Sequence, residues 1–261
     1  EASPKYPDGW IVNRDLKMSQ YDNPGNMYTL DTGLITPAIY LSTPSSGLHN
    51  VTTPAMSFGE GTTSINFNFS AFAFDADTRA FKRGDAEPSF KCPVSYRVYL
   101  VPASYTSASI PSGANVLGQS DWKLMTMGNN TTNVALNSAL DPSMQYRLFV
   151  VGRNSSCSSS DPQAYVFDNF STQAMSAETF DDVYPAGWNF NRDIRIGHYS
   201  NPAKGCTTDV GFITPPIIYN IVDNYLMTSP ASTFDLSGGE LNITMDVYAY
   251  KGSSRGFACG D

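Results

Sequence analysis

The chain contains the same segment twice. Residues 6–37 read YPDGWIVNRDLKMSQYDNPGNMYTLDTGLITP, and residues 184–215 read YPAGWNFNRDIRIGHYSNPAKGCTTDVGFITP. At an offset of 178, 16 of these 32 positions are identical without a gap. Farther along the offset becomes 176, so that Phe58 matches Phe234, Ile65 matches Leu241, and Arg79-Ala80-Phe81 matches Arg255-Gly256-Phe257. The period is far too long for a solenoid repeat, and the pattern reads as a duplicated domain. Unit one is expected at residues 1–171, a short joint at 172–177 and unit two at 178–261. Asp261 is the counterpart of Asp85, so unit two has nothing matching residues 86–171. Unit one in turn has no counterpart of Met175–Glu178. The expectation is thus one domain followed by the first half of another. The joint lacks Gly and Pro, and so short a connection is expected to hold the units in one relative orientation.

Within each unit the hydrophobic period is two. Residues 64–74 read SINFNFSAFAF, which puts Ile65, Phe67, Phe69 and Ala71 on one face. The counterpart at 240–250, ELNITMDVYAY, places Leu241, Ile243, Met245 and Val247 on the matching face. Such alternation marks a half-buried strand. Further strands are expected at 96–101, 122–127, 146–151 and 165–170, separated by turns at 43–47, 128–130 and 155–161. Charged residues are only 15% of the chain and aromatics 13%, which suits strands and excludes helical bundles and coiled coils. The fold class expected is all-β, two tandem antiparallel jelly-roll sandwiches with the second incomplete.

A net charge of −8 gives no electrostatic footprint for nucleic acid or anionic membrane. No apolar run approaches the length of a membrane span. The first residue is Glu1 rather than Met, so removal of a leader or tag is expected. The four cysteines form no CxxC pair, and an even number fits disulfides made outside the cell. The duplication favours Cys92–Cys157 within unit one and Cys206–Cys259 within unit two. Cys206 and Cys259 align with Tyr28 and Arg83, as expected of two cysteines that arose together.

Several motifs follow one another in a recognisable order. Glu178-Thr179-Phe180-Asp181-Asp182 precedes Tyr184-Pro185-Ala186-Gly187-Trp188. Ile35-Thr36-Pro37 and Ile213-Thr214-Pro215 follow the repeat, and Leu236-Ser237-Gly238-Gly239 leads into the alternating strand. Tyr165-Val166-Phe167-Asp168-Asn169-Phe170 closes unit one. This order resembles the cleaved-adhesin and choice-of-anchor J families across unit one and the front half of unit two. The resemblance implies jelly-roll sandwiches of bacterial surface and secreted proteins, usually non-catalytic adhesive or glycan-binding modules. Unit one lacks the opening acidic strand, so that motif rests on unit two.

Residues with chemical potential are few. The only histidines are His49 and His198, and no Ser-His-carboxylate arrangement, GxSxG elbow, P-loop or HExxH is present. The repeated acids are Asp15/Asp193, each preceded by Asn-Arg, and Asp31/Asp209; an Arg–Asp neighbour pair in a Gly/Pro-flanked loop reads as a structural tie. Structural calcium is a possible cofactor, with Asp168, Glu178, Asp181 and Asp182 as its ligand set, because calcium takes six to eight oxygens. Arg83-Gly84-Asp85 is an integrin-type tripeptide, but the repeated element is Gly-Asp, which reads as a turn. Phe72 and Phe74, with counterparts Tyr248 and Tyr250, lie opposite the core face and form the candidate binding or interface surface; cover by a loop or second sheet is the alternative. Seven sequons, at Asn50, Asn68, Asn129, Asn130, Asn154, Asn169 and Asn242, fit either N-glycans or chance.

Two functions are consistent with these features. One is a non-catalytic extracellular structural or adhesive protein that self-associates, into a fibre if subunits exchange strands head to tail. The other is a carbohydrate-binding module of a surface glycan-uptake or degradation system. Four apolar residues at 241–247 need a partner sheet, supplied by a longer parent chain or by another subunit.

Overall fold

The computed structural model describes residues 6–13, 15–37, 48–76, 81–154, 163–178, 180, 183–185, 187–190, 194–214, 225–231, 243–252 and 256–261. Apart from short 3-10 turns, its regular structure is entirely β. The strands through the first repeat are β1 (Ile11–Val12), β2 (Lys17–Asn23), β3 (Thr29–Ile35), β4 (Leu48–Thr52), β5 (Ser64–Asp75) and β6 (Val94–Pro102). They continue with β7 (Gly118–Gln119), β8 (Lys123–Leu124), β9 (Gly128–Leu136), β10 (Tyr146–Asn154), β11 (Gln163–Thr172) and β12 (Met175–Glu178). The second repeat contributes β13 (Asn189–Phe190), β14 (Arg195–Asn201), β15 (Thr207–Ile213) and β16 (Met227–Thr228).

All pairings are antiparallel. One layer has the order β1-β4-β10-β6, with β8 also on β6; the other runs β9-β5-β11-β3-β2. The two-residue strand β7 bonds to both β6 and β9 and joins the layers along one side. Glycine is required at that corner, because a Cβ on Gly118 would lie 2.6 Å from the Ala135 carbonyl oxygen. Between the layers lies a core built by alternation. Ile65, Phe67, Phe69 and Ala71 of β5 face Val94, Tyr96, Val98 and Leu100 of β6 and Leu148 and Val150 of β10. Phe69 meets Tyr96 edge-on with ring centres 4.9 Å apart. Each Val, Leu, Ile or Phe among them contributes about 1.5–3 kcal/mol by leaving water. The turn expected at 128–130 is instead the start of β9, whose Asn129 and Asn130 pair with Ser70 and Phe69.

The duplication is also visible in three dimensions. In the first repeat Asn23 caps a 3-10 turn by accepting from Gly25 N–H, and its amide donates to Asp31 at 2.6 Å. In the second, Asn201 accepts from Ala203 N–H and donates to Asp209 at 2.8 Å. Phe81 lies edge-on to Phe74 at 5.5 Å and Phe257 edge-on to Tyr250 at 5.6 Å, both at a left-handed φ of 42°.

The equivalent strands β2 and β14 pair with each other through Met18 and Ile196, residues that correspond under the offset of 178. Corresponding contacts flank this bond on both sides. Lys17 Nζ lies 5.1 Å from the Phe257 ring centre, and Arg195 Cζ lies 5.0 Å from that of Phe81. Equivalent residues exchanging equivalent contacts is the pattern of an isologous, two-fold interface.

Residues 172–177 are more than a joint. Thr172 ends β11, Gln173 and Ala174 turn, and β12 returns antiparallel along β11 with Glu178 opposite Phe170. Phe180 then enters the core of the first repeat, 1% exposed, against Trp10 and Phe170. β12 and Phe180, expected in the joint and in unit two, thus pack on the first repeat.

The strand expected at 240–250 differs. Residues 240–242 lie outside the described residues, and 243–250 carry no strand. Ile243, Met245 and Val247 are 75%, 67% and 77% exposed, whereas their counterparts Phe67, Phe69 and Ala71 are at most 1% exposed. A strand needs a ladder partner, and none of the described strands pairs with this segment.

Candidate functional site

The expected aromatic surface is a correction. Phe72 and Phe74 are 4% and 0% exposed and form a second small core with Tyr21, Ile35, Phe81, Ala164 and Val166. The left-handed turn at Phe81 folds that ring back over Phe74 as a lid, so the pair is unavailable to a ligand. Tyr248 and Tyr250 are half-buried under the same arrangement, with ring centres 6.0 and 6.2 Å from Tyr199. The Tyr250 hydroxyl donates to the Ser200 carbonyl. The alternation in the sequence identified the face; the lid residue, seven positions after Phe74, decided its exposure.

Arg83-Gly84-Asp85 is a turn. The Asp85 carboxylate accepts from Lys82 N–H at 2.9 Å, as Asp261 accepts from Ala258 N–H at 2.7 Å. Arg83 Cζ stacks 4.8 Å over the Tyr28 ring, and its N–H donates to Asp22. The second repeat places a disulfide at the positions of this pair, Cys206–Cys259. Cys92 is also disulfide-bonded, while Cys157 lies outside the described residues.

Of the expected calcium ligands, Asp168 is fully buried and accepts a 2.7 Å hydrogen bond from the Tyr21 hydroxyl and another from Asn169 N–H. Burial and the neighbouring Asp168 carboxylate push the Tyr21 hydroxyl far above the usual phenol range. The backbone of Glu178 lies on β12, while Asp181 and Asp182 are outside the described residues. Among the described residues no group of three or more His, Cys, Asp or Glu is placed to hold a metal. His49 is buried edge-on to Tyr165, and His198 stacks on Tyr6 at 4.2 Å.

The sequon asparagines divide by exposure. Asn50 and Asn130 are buried, and their amides donate to backbone carbonyls of Ala108 and of Thr126 and Gly128. A glycan on either would break these bonds. Asn129 is exposed; Asn68, Asn154 and Asn169 are half-buried; Asn242 is outside the described residues.

Asp209 carries an electrostatic device that Asp31 lacks. Lys204 Nζ donates to it at 2.8 Å and, with Asn201, holds its carboxyl down at about 2. The folded value lies below the unfolded one, so this stabilisation is present above about pH 4 and fades as pH falls toward about 2. The pair is exposed to solvent, so screening keeps its contribution to stability small. Lys204→Gln is expected to raise the Asp209 titration midpoint toward about 3.9 in a carbon-detected NMR titration. An unmoved midpoint would contradict the assigned cause.

One cluster escaped the sequence. On the outer face of the β4-β10-β6-β8 layer, Arg153 Cζ and Arg97 Cζ lie 4.1 and 5.0 Å from the Trp122 ring centre. Arg97 is also 5.9 Å from the ring centre of Tyr99. Cross-strand register aligns Arg153 with Ser95, and Ser95 with Leu124, in one row across β10, β6 and β8. Residues 95, 97, 122, 124 and 153 belong to three separate stretches, so no local motif announced them.

No family model matches the chain, and none of the curated proteins matches it. Solved structures that resemble it include one titled "CBM4 structure and function", at 12% identity and a TM-score of 0.35, covering 65% of this chain and 96% of that one. A second is an arabinose-bound MgGH51 α-L-arabinofuranosidase, at 13% identity and 0.33, covering 68% of this chain and 26% of that one. A third is an apo cyclase from Fischerella sp., at 14% identity and 0.30, covering 69% and 89%.

Proposed function

We propose that the protein is a non-catalytic extracellular β-sandwich protein of structural or adhesive role whose second repeat is completed by a β-strand from outside residues 178–261. The exposure of Ile243, Met245 and Val247 carries this reading. In the first repeat β11 lies between β5 and β3, bonded to both. The equivalents in the second repeat are residues 240–250 and β15, and no described strand lies on the far edge of β15. Burying the three apolar side chains is worth about 4.5–9 kcal/mol, comparable to the stability of a whole domain. The incoming strand is of the β11 kind, alternately apolar on its core face, with an acceptor where Asp168 meets Tyr21, since Tyr199 holds the equivalent place.

The cleaved-adhesin-like motif order and the Cys206–Cys259 disulfide support an exported protein. Because β12 and Phe180 already occupy the opening place of the first repeat, strand exchange between subunits would need to repair only the second. The test extends the chain after Asp261 with a copy of residues 86–172. Hydrogen exchange at 243–250 is expected to slow to the rates of β5. Unchanged fast exchange would overturn the reading. Sedimentation of the unextended chain separates the two sources of the strand: concentration-dependent association means that a second copy supplies it.

A further inference from the structure

The Arg97–Trp122–Arg153 cluster goes beyond the strand-completion reading and does not depend on it. Two guanidinium groups share one indole in a chain whose net charge is −8. Among the described residues neither arginine has a carboxylate partner. The Arg97 Nε is buried and makes no hydrogen bond. Bringing two like charges to one ring, with one donor desolvated and unsatisfied, is unfavourable unless something compensates. Stacking on Trp122 supplies part of that compensation. An anion at the solvent-facing guanidinium N–H groups, those of exposed Arg153 above all, would offset the paired positive charge, because a guanidinium fork matches a carboxylate through two parallel N–H···O bonds.

The surroundings narrow the class of anion. Ser95 stands directly opposite Arg153 and offers a hydroxyl. Next in the row is Leu124, 65% exposed and apolar. Adjacent strands are about 4.8 Å apart, so the row from Arg153 to Leu124 spans roughly 10 Å, about one to two sugar rings. A charge, a hydroxyl partner and an apolar step in that order fit a ring that carries a carboxylate, hydroxyls and a C–H face. Stacked guanidiniums are held in place before binding, which favours a rigid ligand over a flexible one.

We infer that Arg97, Trp122, Arg153, Ser95 and Leu124 form a binding site for a hexuronate unit of an acidic polysaccharide, with the carboxylate received by the two arginines.

The probe is a trimer of galacturonate, titrated calorimetrically into the whole chain and followed at the Trp122 indole N–H by NMR. Its methyl ester, the same sugar without charge, and a pentaglutamate peptide serve as comparisons. The trimer is expected to bind and to shift the Trp122 signal. The methyl ester and Arg153→Gln should each weaken binding by about tenfold or more. Arg153 is exposed, so Arg153→Gln should keep the wild-type melting temperature, which guards against a folding artefact. Absence of binding, equal binding by Arg153→Gln, or equal binding of pentaglutamate would overturn the proposal, the last by assigning the site to acidic peptides.

Discussion

Phe180→Ala is expected to destabilise the first repeat by about 3–5 kcal/mol, the usual cost of deleting a buried aromatic ring. Phe180 sits 5.3 Å from Trp10 and 6.0 Å from Phe170, within the core that the first repeat's two layers share. It does so at a left-handed φ of 57°, a conformation that a Phe keeps only where its surroundings hold it. Denaturant unfolding measures the loss, and hydrogen exchange locates it. Amides of β11 and those around Trp10 should exchange faster, although the substitution lies beyond the sequence boundary of unit one. If those amides keep their rates and only residues after 183 respond, the ring belongs to the second repeat and the placement of β12 is wrong. The expected result follows from a division of labour. β12 supplies the backbone bonds along β11, and the ring two residues later closes the core.

The double substitution Tyr28→Cys with Arg83→Cys is expected to form a second copy of the Cys206–Cys259 bridge and to stabilise the first repeat by about 2–4 kcal/mol. Cys206 and Cys259 have Cα atoms 5.9 Å apart and close a separation of 53 residues. The backbone around both pairs is the same. Tyr28 N–H donates to Asn23 O at 2.8 Å and Cys206 N–H to Asn201 O at 2.8 Å, with φ of 60° and 65°. Asp22 N–H donates to Phe81 O at 3.0 Å, and Ser200 N–H to Phe257 O at 2.9 Å. The new bridge gives up the Arg83–Tyr28 stack, worth about 0.5–1 kcal/mol at an exposed site, so the net gain remains positive. Thiol counting shows whether the bond forms. A bridged protein whose melting temperature is unchanged or lower would refute the equivalence of the two sites. Together, the disulfide and the cation–π stack are two solutions to one problem, tying the 3-10 turn after β2 to the Gly-Asp turn that follows the lid.

Much of the fold was legible because it rests on short-range periodicity. Ile65, Phe67, Phe69 and Ala71 alternate in the sequence, and all are core. The offset of 178 matches Asn23 to Asn201, and the two residues cap equivalent turns. The Gly-Asp repeat foretold equivalent turns at Asp85 and Asp261. Other features were not legible. Alternation gave Phe72 and Phe74 the outer face correctly but could not say that Phe81 would lie over them, because a lid is a tertiary contact. The Asn pair at 129–130 suggests a turn by composition, yet β5 offers it a partner strand, and pairing outweighs local propensity. The Trp122 cluster assembles from three strands and a loop, and no single window of sequence contains it.

The sequence by itself determined the duplication, the β class, and the alternation that assigns each strand a core face. All three depend on residue type and spacing within one stretch, where the two-residue period of a strand is strict. The tertiary structure alone decided where each repeat finds what it lacks. The segment 175–180 could serve either repeat by its sequence. It serves the first because β3 pairs with β11 only through Val166 and Phe167, which leaves the end of β11 to β12, and because Trp10 and Phe170 offer a place for a ring. Residues 243–247 have the pattern of a buried strand, but a pattern buries nothing until a second sheet faces it. With no described strand beyond β15, three core side chains remain in water. Burial is a property of two surfaces meeting, and a sequence window describes only one of them.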